Sequence, residues 1–173
     1  AALEEGDWEP LYDAPESYHL VLNEATTSIP ANVMSLNYRL RSIKGPAVTD
    51  IAENAFAACE LLVDISFPVA THIGEAAFQN CSRLSSVYLP EVVELGTRAF
   101  NSCTGLTRID FPRLERAGES AFYSCSGLTD VSLPAVTELG NNAFSNATAL
   151  KSLSMPALRT VGDYAFTYCS GLE

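Results

Sequence analysis

The chain has 173 residues, 47% of them apolar and 18% charged. That is too apolar for a disordered tail, yet no stretch reaches the roughly 18 consecutive apolar residues a spanning helix needs. Ten basic against twenty-one acidic side chains leave a net charge of −11, which repels nucleic-acid phosphates and anionic lipid headgroups, so neither nucleic acid nor membrane insertion by this segment is expected.

Residues 1–17 show no internal pattern, hold the tryptophan Trp8 and read as an arm or cap. The opening Ala1-Ala2-Leu3-Glu4-Glu5-Gly6-Asp7 lacks the basic start and apolar run of a secretory signal, so any targeting segment is expected to lie outside this stretch. His19-Leu20-Val21-Leu22 reads as a leading strand beside Ile43, with Ile29 and Val33 contributing to a partial coil. Met34, Asn37, Leu40, Ile43, Pro46, Val48, Ile51 and Ala55 then sketch a degenerate coil, with Ala52 where later coils have glycine. Residues 18–55 are therefore expected to form degenerate first coils.

Regular repeats follow over residues 56–173. The pair Ala-Phe recurs at Ala55-Phe56, Ala77-Phe78, Ala99-Phe100, Ala121-Phe122, Ala143-Phe144 and Ala165-Phe166, each step 22 residues long without insertion. A period of this length marks a solenoid, whose coils bury their apolar faces only by stacking on neighbours. In one unit the apolar slots are Phe78, Cys81, Leu84, Val87, Leu89, Val92, Leu95 and Ala99. Alternation in Ile65 and Phe67, Ile109 and Phe111, or Val131 and Leu133 predicts a strand with one buried face. The proline that follows each one, as at Pro68, Pro90 and Pro112, keeps it short.

Gly74, Gly96, Gly118, Gly140 and Gly162 precede Ala-Phe by three residues. They predict a corner at which glycine either takes positive φ or lets backbones pass closely. A single helical turn is expected next, placing Ala77, Phe78 and Cys81 inward and Gln79 and Asn80 outward, with the phenylalanines stacked as a spine. The Gly-x-x-Ala-Phe-x-x-Cys spacing suits such a turn better than the third strand of a parallel β-helix. A second short strand around residues 92–95 is compatible with the pattern.

Leu84-x-x-Val87-x-Leu89, with the added proline, Gly-x-x-Ala-Phe and Phe-x-x-Cys, resembles the BspA-type leucine-rich repeat family over residues 34–172. The resemblance implies an α/β solenoid of 22-residue coils, with a parallel β-sheet on the concave side and short helical turns on the other. It also implies an extracellular or cell-surface binding and adhesion role, with a protein or glycan partner that could be host-derived. The sequence departs from the pattern at Ala147, which replaces a cysteine. It departs again at Val92, Leu114 and Val136, where many leucine-rich repeats have asparagine, so no amide ladder is expected there.

Cys59, Cys81, Cys103, Cys125 and Cys169 share one slot, so they should line up at the strand spacing of about 4.7 to 4.9 Å. Parallel Cβ atoms at that spacing overshoot the roughly 3.5 to 4.5 Å a disulfide wants. Buried free thiols acting as small apolar fillers are expected, and neither a metal site nor a cofactor. His72 occupies a corner slot that elsewhere holds Glu94, Arg116, Glu138 or Thr160 and reads as a surface residue, while His19 has no obvious nucleophile partner. Neither the carboxylates Asp64, Asp110 and Asp130 nor the acidic corners Glu75, Glu119 and Asp163 form a compelling catalytic or calcium set. No enzyme is expected.

What remains is surface. The outward strand rows are Ser42, Asp64, Ser86, Arg108, Asp130, Ser152 and Lys44, Ser66, Tyr88, Asp110, Ser132, Ser154. Tyr88, Arg108 and Asp110, flanked by Ser86 and Asp130, are the cluster richest in residue types that carry binding energy. Tyr123, Tyr164 and Tyr168 form a second candidate patch. A non-catalytic binding module is the first functional reading; a structural module that self-associates through its C-terminal coil is the alternative.

Overall fold

The structure, a computed structural model, describes residues 16–172. The expected N-terminal arm, Trp8 included, lies outside the described residues except for Glu16 and Ser17.

Each coil supplies two parallel strands. The longer ones are β1 (Tyr18–Val21), β3 (Leu40–Lys44), β5 (Asp64–Ser66), β7 (Ser86–Tyr88), β9 (Arg108–Asp110), β11 (Asp130–Ser132) and β13 (Ser152–Ser154). The shorter ones are β2 (Ser28–Ile29), β4 (Asp50–Ile51), β6 (His72–Ile73), β8 (Glu94–Leu95), β10 (Arg116–Ala117), β12 (Glu138–Leu139) and β14 (Thr160–Val161). All pairings are parallel, and between regular coils each residue meets the one 22 positions along, as in Ile65↔Val87 and Leu95↔Ala117. The leading strand is where the sequence places it: Leu20 is in register with Ile43.

The turn side corrects one expectation. Among the described residues there is no helix. Instead, residues two positions after the corner glycine and four further on take positive φ, such as Ala76 (51°) and Asn80 (60°), then Arg98 (58°) and Ser102 (59°). This reversal aims alternate amides out of the coil. The N–H groups of Ala76, Phe78 and Asn80 donate to the carbonyls of Thr97, Ala99 and Asn101 in the next coil, at 2.8 Å each. The amides between them, on Ala77, Gln79 and Cys81, close tight turns onto Gly74, Ala76 and Phe78. An α-helix directs every amide four residues back within its own segment; here half are spent on the neighbouring coil. Gln79 and Asn80 still face outward and Phe78 inward, as the spacing requires.

The glycine corner resolves in favour of close approach. No glycine among the described residues has positive φ. A Cβ on Gly118 would lie 2.7 Å from the carbonyl carbon of Gly96 and 2.8 Å from the Thr97 nitrogen, so the backbones of successive coils touch there.

The core is a set of columns. Phe56, Phe78, Phe100, Phe122, Phe144 and Phe166 stack with centroid separations of 5.0 to 5.7 Å and nearly parallel rings. Phe111 leans on both Phe100 and Phe122 at 6.1 and 6.3 Å. Met34 continues the column into the first coil, fully buried. Each buried ring contributes roughly 1.5 to 3 kcal/mol, and only neighbouring coils make that burial possible. Isolated coils are therefore not expected to be stable.

The longer-strand column is interrupted once. It divides into a four-stranded sheet, β1-β3-β5-β7, and a three-stranded sheet, β9-β11-β13, while all seven shorter strands form one continuous sheet. Leu89 N–H makes no hydrogen bond to the next coil, although its equivalents on Phe67, Phe111 and Leu133 do. Thr107 N–H makes none to the preceding coil, although Val63, Thr129 and Lys151 do. Val87 at this junction is only half-buried, whereas Ile65, Ile109 and Val131 in the same column are buried. The two coils still touch through Phe78 and Phe100, 5.2 Å apart, and through β8 and β10. They part on the strand face alone.

Candidate binding face

The register aligns the two rows within each sheet; Ser42 is buried and the other row members are partly or fully exposed. His19, Ser42, Asp64 and Ser86 align across β1, β3, β5 and β7, and Val21, Lys44, Ser66 and Tyr88 align beside them. Arg108, Asp130 and Ser152 continue the first row across β9, β11 and β13, and Asp110, Ser132 and Ser154 the second. The five candidate residues thus share one face, but the interruption runs between them, with Ser86 and Tyr88 on one side and Arg108, Asp110 and Asp130 on the other. Tyr88 is 56% exposed, and Arg108, Asp110 and Asp130 are exposed. Ser86 Oγ donates to Asp64 Oδ1 at 2.6 Å, and Thr129 Oγ1 donates to Asp130 Oδ2 at 2.6 Å. Arg108 and Asp130 are register partners, yet among the described residues Arg108 forms no ion pair.

The second candidate patch separates. Tyr164 and Tyr168 occupy the two positive-φ slots of the last coil and are exposed, while Tyr123 is half-buried in a different slot two coils earlier.

All five cysteines are free and buried. Each thiol donates to the carbonyl of the core residue one coil earlier: Cys59 to Met34, Cys81 to Phe56, Cys103 to Phe78, Cys125 to Phe100 and Cys169 to Phe144, at 3.1 to 3.2 Å. Burial pushes the Cys59 and Cys125 thiols up to about 12 and those of Cys81 and Cys103 well above the ordinary thiol range. Burial thereby disfavours the thiolate, the form that acts as a nucleophile or metal ligand. Among the described residues no group of three or more His, Cys, Asp or Glu side chains could hold a metal ion.

His19 corrects another expectation, because Ser42 Oγ lies 2.7 Å from its Nδ1. A hydroxyl beside an imidazole is half of a nucleophilic site. The other half is not seen among the described residues: no carboxylate is hydrogen-bonded to the His19 ring, and β3 is paired on both edges, so its amides are committed to the sheet. His72 is exposed, with Thr71 Oγ1 2.9 Å from its Nδ1 and Asp50 at 3.6 Å. It borders a shallow groove of about 510 Å³ over the shorter strands, lined chiefly by Ile29, Pro30, Ile51 and Ile73.

Residue types alone did not reveal an open cleft of about 550 Å³ at the N-terminal end of the strand face, lined by His19, Arg41, Ser42, Lys44, Val63 and Asp64. The signal in the sequence is the concentration of Arg39, Arg41 and Lys44, three of the ten basic residues, within six positions.

The profile of the BspA type leucine rich repeat region matches residues 49–173 in six copies. The chain belongs to this family. Among solved structures, the BspA-type solenoid is similar to a leucine-rich repeat protein of T. pallidum, with 24% identity and a TM-score of 0.84 over 91% of this chain and 78% of that one. It is similar to a leucine-rich cell surface protein of Faecalibacterium prausnitzii, with 25% identity and a TM-score of 0.75 over 91% of this chain and 47% of that one. A leucine-rich repeat protein of Eubacterium ventriosum gives 25% identity and a TM-score of 0.79 over 90% of this chain and 45% of that one. The chain therefore spans less than half the length of the latter two. No curated protein matches it.

Proposed function

We propose that this BspA-type solenoid is a non-catalytic binding module, displayed on the cell surface or secreted, that recognises a protein or glycan through its strand face around Tyr88, Arg108 and Asp110. The interruption between β7 and β9 carries the reading. On the exposed strand face it leaves the Thr107 N–H without the inter-coil partner its equivalents have, beside an exposed aromatic ring and a guanidinium that forms no ion pair among the described residues. Free main-chain groups suit a ligand's amides or hydroxyls, while tyrosine and arginine are the side chains most enriched among binding hot spots. The cell-surface description of the F. prausnitzii protein supports the compartment. Among the described residues the regular coils carry no inserted loop.

The test is a panel of immobilised extracellular proteins and glycans probed with the wild-type chain and with Tyr88→Ala and Arg108→Ala. Each variant should weaken the captured interaction at least fivefold and leave the thermal transition within about 1 °C, as expected of exposed substitutions. Undiminished binding by both variants removes this face as the site.

A second reading is assembly through the last coil, whose strands β13 and β14 are exposed, with Leu153 and Val161 uncovered. What covers that edge, a further coil of a longer chain or a second molecule, decides it. Light scattering of the 173-residue chain at high concentration is the measurement, and a strict monomer rejects self-association.

A further inference from the structure

From the cleft at the N-terminal end of the strand face we infer a second ligand site, one for an acidic saccharide whose sugar carboxylate is held by Arg41 and Lys44 and whose hydroxyls are held by Asp64, Ser42 and His19. The inference rests on the reading of the strand face as a ligand surface and gives this end of it a ligand class.

The charge pattern is the first argument. In a chain of net charge −11, this cleft gathers two cations and an imidazole. Arg41 spends only its Nε, on Ser17 Oγ at 2.7 Å, and neither Arg41 nor Lys44 forms an ion pair among the described residues. Arg113 and Arg116 are paired with Glu91 and Glu94 of the preceding coil; Arg108, like Arg41 and Lys44, is not, but only Arg41 and Lys44 line one cleft together. An unpaired cation pair facing a cleft focuses anions that the rest of the surface repels. The arginine fork is matched in shape to a carboxylate.

The second argument is Asp64. It lies in the same cleft without neutralising either cation; its Oδ1 accepts from Ser86, and its other oxygen is left to accept from a ligand. The side chains of a glutamate-rich peptide give Asp64 no hydrogen-bond donor. A sugar acid offers both a carboxylate for the cations and hydroxyl donors for Asp64. Ser42 and His19, already linked at 2.7 Å, form a small polar floor that can both give and take hydrogen bonds. A volume of about 550 Å³ is within the range of small-ligand sites and holds one or two sugar rings.

The experiment titrates the full chain with sialyllactose, a hyaluronan tetrasaccharide, neutral lactose and a glutamate-rich peptide, followed by amide chemical shifts in NMR. At least one acidic saccharide should shift residues of β1, β3 and β5, with lactose at least tenfold weaker. The variant pair Arg41→Gln and Lys44→Gln should weaken binding tenfold or more, and Asp64→Asn threefold or more. Tyr88→Ala with Arg108→Ala should leave it unchanged, which separates this site from the one at the interruption. Absence of binding by both acidic saccharides, or binding indifferent to Arg41→Gln with Lys44→Gln, overturns the inference. So does a gain in affinity on Asp64→Asn, or preferential binding of the peptide, because either means that negative charge alone is recognised.

Discussion

The thiol of Cys103 donates to the carbonyl oxygen of Phe78, 3.1 Å away in the coil before it. The same carbonyl also accepts from the amide of Cys81, so the cysteine column supplies a second donor to a buried acceptor as well as filling space. Ala147 shows that the slot tolerates losing it: the alanine is fully buried, and the Phe122 carbonyl keeps the Cys125 amide alone.

Thiol ionisation should therefore make the fold sensitive to alkali. Unfolded thiols ionise near pH 9, whereas burial holds the native ones protonated to about 12 at Cys59 and Cys125. The native state binds more protons across that interval, so the thiol contribution is fully present below about pH 9 and is lost as pH rises towards 12. Denaturant melts at pH 7, 9 and 10.5 should show the fall. Cys103→Ala should cost about 1 to 2 kcal/mol at pH 7 and make the alkaline decline shallower, and a steeper one would contradict the argument.

The corner glycines make a steric prediction. Gly118→Ala places a methyl group 2.7 to 2.8 Å from three backbone atoms of the preceding coil, where nothing can yield cheaply. A loss of about 2 to 3 kcal/mol is expected from overpacking, read as a lowered denaturation midpoint. The converse substitution is Ala58→Gly, at φ 57°, where relief of left-handed strain outweighs the entropy of glycine. Stability should hold or rise by about 0.5 kcal/mol.

Phe122 sits between Phe100 and Phe144 and touches Phe111. Phe122→Ala should cost about 3 to 5 kcal/mol, while Phe122→Leu should cost less than half of that. Chemical denaturation of both variants checks the column, and equal losses would mean that refilling the volume restores nothing and that the stability lies in the ring itself.

The interrupted ladder predicts a local exchange pattern. The amide hydrogen of the exposed Thr107 should exchange far faster than those of Val63, Thr129 and Lys151, which are bonded across coils. Uniform protection along the longer strands would show the column to be continuous in solution.

Much of this architecture can be read from the letters. A gapless 22-residue step places equivalent residues in columns, so the phenylalanine stack, the free cysteines and the outward rows follow from periodicity alone. The turn side does not, because Ala77, Phe78 and Cys81 face inward in a helical turn and also in a chain that alternates the sign of φ, and burial spacing cannot separate the two. The partnership of His19 with Ser42 depends on the register of a strand outside the regular repeat. The interruption is least legible: Ser86-Val87-Tyr88-Leu89 obeys the pattern of every other coil, and the separation concerns how two coils sit together, which no single coil encodes.

Two of the three hydrogen-bonded columns pass through the β7–β9 junction unbroken, and the third does not. The halves of the solenoid are accordingly bound like the covers of a book, with the shorter strands and turns as its spine and the strand face as its opening edge. A ligand bridging Tyr88 and Arg108 would set the angle between the covers. Scattering measured with and without such a ligand would record recognition as a change in the bend of the whole rod.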